Sequence, residues 1–324
     1  MKKAKLNAAE RTALLGTQSI GKLLMRLSGP AITGMLVQSM YNLVDTVFVG
    51  KGVGTLALAA LAVCFPIQML LLAVGKTVGI GAASIISRRL GAGRDEEAGQ
   101  IAGGSFMLAA MLGFLISISG LVFIVPVLRL FGASDNILPY ARDYLSIVLL
   151  GGTFFAVTVC SNDIARSEGN AKVAMISMFV GAGINIILDP IFIFTLNMGI
   201  RGAAIATVIG QVSAFVWITR YFSSGRSHLR FTLKHLFPGL RQSLKVLLIG
   251  SPSFARIVGG SIMAIVVNNT IMHYGYELHL AVLGVVNRIM IFALMPIFGL
   301  VQGLQPLFLE LRSFLRAVVQ ILDH

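Results

Sequence analysis

The sequence predicts an all-α fold, that of a polytopic helical membrane protein, on three observations. Of its 324 residues 56% are apolar and only 12% charged, about half the charge of a soluble domain, and the mean hydropathy is +0.87. Apolar runs long enough to cross a bilayer recur along the whole chain. Lys and Arg gather in alternate loops, the bias that fixes membrane topology. The same bias accounts for the net charge of +13, which in a soluble protein would point to nucleic acid. Nucleic acid is therefore not an expected partner.

Eight spans are expected, at roughly 24–50, 55–87, 99–125, 143–165, 171–197, 200–222, 243–273 and 279–309. Several exceed the ~20 residues that cross the hydrocarbon, so tilt, kinks or extension beyond the bilayer follow. Pro30, Pro66, Pro190, Pro252 and Pro296 lie inside these runs as kink points. Thirty-five glycines suit helices that approach closely. Cys64 and Cys160 fall in apolar runs without metal-ligand spacing and read as small core hydrophobes.

Residues 1–23 form a basic tail without the short apolar core of a cleavable signal peptide. Nineteen Lys and Arg residues fall on the side of that tail and four (Lys51, Arg129, Arg142 and Arg201) on the other. This places the N-terminus in the cytoplasm of a multi-pass protein of the inner membrane. Residues 24–222 hold six spans, a complete first lobe. Residues 223–242 read as a basic linker suited to the membrane surface, and 243–309 as a partial second lobe of two spans. A shift of 222 residues aligns Pro30 with Pro252, Leu56 with Leu278, Ala59 with Ala281 and Gly81 with Gly303, with 11 identities in 55 positions over 30–84. Internal repeats of this kind are common in transporters. Asp45 falls opposite Val267, so its carboxylate is not duplicated.

Ionisable groups at membrane depth are costly and therefore informative. Asp45 lies deep in the first span. In the fifth, NIILD sets Asn185 and Asp189 one turn apart on one face, and Pro190 cannot bond the carbonyl of Ile186. Asn162 and Asp163 close the fourth span, and Thr207 lies in the sixth. Carboxylate, amide, hydroxyl and carbonyl oxygens suit a hard cation such as Na⁺. The same carboxylates, desolvated and adjacent, can hold a proton instead. The alternative is that these groups only satisfy kinked backbone and bind helix to helix. Asp163, near a span end, is expected to be solvated, and Lys76 to snorkel toward an interface. Arg256 is expected at an interface, and Arg288 deeper, with no partner that spacing can name. HExxH, GxSxG and Walker A patterns are missing, and no histidine pairs with an acid at metal-ligand spacing. The expected activity is therefore not enzymatic, and no organic cofactor is implied.

Four ordered blocks, GPAITGMLVQSMYNLVDTVFVG, GIGAASIISRRLGAG, NIILDPIFIF and GLVQGLQP, resemble the MATE (multidrug and toxic compound extrusion) family from about residue 20 to about residue 306. That resemblance implies a twelve-helix, two-lobed fold that exchanges Na⁺ or H⁺ for organic, often cationic, compounds leaving the cytoplasm. It carries the cation site of the family's first lobe onto Asp45, Asn162, Asn185, Asp189 and Thr207, the Na⁺ ligands if sodium is the coupling ion. The implied partners are a small organic substrate, the coupling cation and membrane lipid. After Pro306 the resemblance stops, and residues 310–324 form a divergent tail, the expected mark of truncation or a shifted reading frame. The alternatives are a lipid-linked oligosaccharide flippase, for which Arg256 and Arg288 are too few cavity arginines, and a non-transporting membrane fragment or interaction module.

Overall fold

The computed structural model describes residues 20–225, 227, 229 and 239–322, with side chains between Ser28 and Val301. The expected tail up to residue 19, most of the linker's basic stretch and the side chains of the divergent tail lie outside these described residues. Every regular element described is helical: α1 (Ile20–Gly52), α2 (Thr55–Gly91), α3 (Asp95–Val122), α4 (Ile124–Leu130), α5 (Leu138–Ser167), α6 (Ala171–Pro190), a π-helical turn (Ile191–Thr195), α7 (Gly199–Ser223), α8 (Leu240–Tyr274) and α9 (Glu277–Leu322).

Seven of these, α2, α3, α5, α6 with its π-helical turn, α7, α8 and α9, are long and apolar enough to span a membrane. The sequence led us to expect eight. The difference is α1, which has the length, at 33 residues, but carries Gln38, Ser39, Asn42 and Asp45 within it. The long helix that falls short in apolar character is thus the one that holds the first carboxylate. Two elements escaped the sequence reading: the seven-residue α4 and the π-helical turn. At the other end α9 runs on through Leu322, where a separate tail was expected. The segment 310–322 contains neither Gly nor Pro, so nothing in it breaks the helix.

Local chemistry sets the turns. Gly54, at φ +111°, supplies the positive dihedral that ends α1 and starts α2 within two residues. Asp95, Glu96 and Glu97 occupy the first turn of α3, where the helix dipole favours negative charge. The linker's start is pinned by Ser227, whose Oγ donates to Glu168 Oε1 at 2.6 Å beside the Tyr221 hydroxyl, which donates to Glu168 Oε2.

The interior is centred on α2 and α5, each 61% buried over its most apolar stretch, while α8 and α9 bury only 17% and 11%. Tertiary packing crosses the two halves of the chain. α1 lies along α9 and α2 along α8, whereas the consecutive pairs α1–α2 and α8–α9 scarcely touch. The 222-residue shift turns α1 into α8 and α2 into α9, so each long seam is the image of the other. Ala62 and Gly284, equivalent positions under that shift, meet across the junction: a Cβ on Gly284 would lie 3.2 Å from the Ala62 Cβ. The two seams are tight because side chains are missing there. A Cβ on Gly250 would strike the Thr77 carbonyl of α2, and one on Gly299 the backbone of Ile32 in α1.

Candidate functional site

The site begins with the α6–α7 crossing. Gly181 and Gly210 face each other, and a Cβ on Gly210 would lie 2.7 Å from the Gly181 carbonyl oxygen. That close approach sets Asn185, one turn beyond Gly181, against Thr207. Asn185 Nδ2 then donates to Asp189 Oδ1 at 3.3 Å and to Thr207 Oγ1 at 3.4 Å. Asp189 is fully buried at the end of α6. Directly after it Pro190 ends the regular helix, and the chain widens into the π-helical turn, closed by Leu196 N donating to Ile191 O at 2.9 Å. Widened turns of this sort recur at functional sites.

Asp45 comes from α1 and is 4% exposed. Its carboxyl group lies beside that of Asp189, near enough for each to act on the other's charge. Two bare carboxylates repel, so this geometry calls for a proton or a cation between them. The remaining oxygens make the same demand: Asp45 Oδ1, Asp189 Oδ2 and Asn185 Oδ1 are buried and, among the described residues, accept no hydrogen bond. Buried polar atoms without partners are rare. Three together, all hard oxygen donors, fit a monovalent cation or a shared proton.

Four of the five candidates therefore converge, Asp45, Asn185, Asp189 and Thr207. Asn162 is also buried, at 5% exposure, and its Oδ1 accepts no hydrogen bond among the described residues, but no described hydrogen bond joins it to the four. Its neighbour corrects an expectation. Asp163 is not solvated; it is 7% exposed and takes both Lys76 (2.8 Å) and Arg166 (2.6 Å) on Oδ1. Lys76 points inward to that carboxylate rather than snorkelling, because α2 packs directly on α5. Arg256 is exposed.

Arg288 is the site residue that spacing could not place. From α9 its Nη1 donates to the Thr46 hydroxyl and, at 3.3 Å, to the Asn42 carbonyl of α1, and lies 3.8 Å from Asp45 Oδ2. The signal available in sequence was its charge in an apolar run; the pairing needed the α1–α9 seam.

A bundle with seven helices long and apolar enough to cross a membrane, and a buried acid pair beside a helix break, defines a multi-pass integral membrane protein. The MatE family model matches residues 30–191, and the chain belongs to that family, multidrug and toxic compound extrusion. The multidrug export protein MepA of Staphylococcus haemolyticus (strain JCSC1435) is 32% identical over 289 residues, 89% of this chain and 64% of the relative. The solved MATE multidrug transporter DinF-BH, in complex with the dye rhodamine 6G, shares 42% identity with a TM-score of 0.81 and covers 90% of this chain and 65% of its own. An outward-facing MATE family transporter of the MOP superfamily matches at 33% identity and TM-score 0.79, over 93% and 66%. The chain thus spans a little under two thirds of the length of these relatives.

Proposed function

We propose that this chain is the coupling part of a cation-driven antiporter that exports organic, often cationic, compounds across the cytoplasmic membrane, with its N-terminus in the cytoplasm. One observation carries the reading: the buried carboxyls of Asp45 and Asp189 lie side by side, with oxygens that accept no hydrogen bond among the described residues. MepA is named for multidrug export and DinF-BH was solved with a bound dye, which supports a small organic substrate here.

A bound Na⁺ or proton would supply the positive charge that lets the two acids sit together. Asn185 holds Asp189 in place through Nδ2 and leaves Oδ1 free to face the ion. Thr207 adds a hydroxyl from α7, and Asn162 an amide oxygen from α5 where the helices close around it. Because Asp45 belongs to α1 and Asp189 to α6, occupancy sets how firmly these helices are joined. Pro30 gives α1 a point about which to bend when that join changes. Residues 24–222 would act as the lobe that holds the coupling ion, with 243–309 forming part of the facing wall.

The test is efflux of rhodamine 6G from proteoliposomes under an imposed sodium or pH gradient, wild type against Asp45→Asn. Gradient-dependent efflux lost in Asp45→Asn is expected. Equal efflux by both proteins would remove Asp45 from the mechanism, and efflux by neither would refute transport by this chain.

A further inference from the structure

We propose that Arg288 is a tethered counter-cation of Asp45, holding α1 to α9 while the acid pair is bare and releasing when a sodium ion or proton occupies it. The inference rests on the coupling reading above and adds the residue that transmits occupancy to the second half of the chain.

The charges around Asp45 do not balance. The charged groups that act on it are Asp189 on α6 and Arg288 on α9, with the phenols of Tyr41 on its own helix and Tyr144 on α5 within electrostatic range. Two carboxylates and one guanidinium leave a net charge of −1, which admits one monovalent cation. That ion carries the same sign of charge as Arg288 and sits on the same acid, so its arrival weakens the hold of the guanidinium on Asp45.

The geometry is that of a contact built to release. At 3.8 Å the ion pair is longer than the 2.7–2.9 Å of a closed charge-assisted hydrogen bond. The guanidinium is seated mainly on neutral oxygens, the Thr46 hydroxyl and the Asn42 carbonyl. A small void lined by Thr46, Leu58, Ala62 and Gly284 lies against the guanidinium, so its packing there is not complete.

The internal repeat supplies a comparison within the molecule. Under the 222-residue shift Arg288 takes the place of Pro66, and Thr46 that of Asn268. In the α2–α8 seam Pro66 cannot bond the Ala62 carbonyl, and Asn268 Nδ2 donates to it at 3.3 Å. That seam is closed by an uncharged cap indifferent to cations. In the α1–α9 seam the equivalent positions carry an arginine that reaches an acid. The asymmetry places cation sensitivity in one seam and a fixed hinge in the other.

The test uses the whole chain in lipid nanodiscs with Cys64→Ala, Cys160→Ala and spin labels at Ile187→Cys on α6 and Ile289→Cys on α9, both exposed positions. Distances are measured at alkaline pH without sodium, at alkaline pH with sodium, and at acidic pH without sodium. Wild type is expected to change its distribution in at least one of the last two conditions. Arg288→Gln should already show the changed distribution in the first and respond to neither cation, whereas Asn268→Ala should respond like wild type. If Arg288→Gln does not fold, Thr46→Val, which removes only the neutral seat, should shift the bare-state distribution part of the way. A full response in Arg288→Gln, an unshifted Thr46→Val, or a wild type that responds to neither cation overturns the proposal. Asp45→Asn separates the two readings. If it still responds, the coupling role of Asp45 fails; if it is silent while Arg288→Gln responds fully, only the role of Arg288 fails.

Discussion

Replacing Asp163 by Asn should destabilise the protein far more than replacing Lys76 by Met, although each change breaks the same 2.8 Å ion pair. Asp163 Oδ1 holds two cations at once, Lys76 and Arg166. Its loss leaves both charges facing one another in a poorly solvated space, with side chains 19% and 16% exposed. Removing one partner of a fully buried pair costs about 3–5 kcal/mol. The residual exposure here lowers that to about 2–3 kcal/mol, or about 5 °C in unfolding midpoint for a chain of this size. Lys76→Met instead leaves a matched Asp163–Arg166 pair and should cost about 1 kcal/mol or less. Unfolding is read with a thiol-reactive dye, since Cys64 is fully buried and reacts only when the bundle opens. Cys160, one turn from Asp163, is replaced by Ala so that local loosening is not counted. Equal losses for the two variants, or a larger loss for Lys76→Met, would refute the view that one carboxylate neutralises two cations.

Gly250→Val should drive α8 off α2, because the new Cβ enters the space of the Thr77 carbonyl. Backbone cannot yield as a side chain does, so a loss of about 3 kcal/mol is expected by the same thermal assay. Asn185→Leu removes the donor that orients Asp189. A long hydrogen bond to a charged group is worth about 1.5 kcal/mol, so the sodium or proton concentration giving half-maximal thermal stabilisation should rise about tenfold. Thr207→Val should raise it less, since its 3.4 Å bond joins two neutral groups.

Much of the site was legible in sequence for a simple physical reason. A carboxylate in an apolar run must be hidden or used, and the i, i+4 spacing of Asn185 and Asp189 fixes one face whatever surrounds it. The long apolar runs and the alternation of basic loops likewise predicted the membrane class that the fold has. What could not be read were relations between distant elements. Asp163 looked solvated because it sits near a span end, yet α2 packs over it and brings Lys76. Arg288 had no nameable partner until the crossed packing of α1 on α9 set it beside Asp45. The repeat did contain that packing in outline, since Ala62 and Gly284 align under the shift, but alignment alone does not say which images touch. The π-helical turn after Pro190 left no periodic signal in five residues.

The most direct measurement asks whether the acids of α1 and α6 share one pocket. In a chain with Cys64→Ala and Cys160→Ala, Asp45→Cys and Asp189→Cys are treated with a short bifunctional thiol reagent and weighed intact. One reagent molecule closing both thiols is the outcome the closeness of these side chains requires. Two reagents, each attached at one end only, would mean that the carboxylates lie apart and that the site does not exist as described.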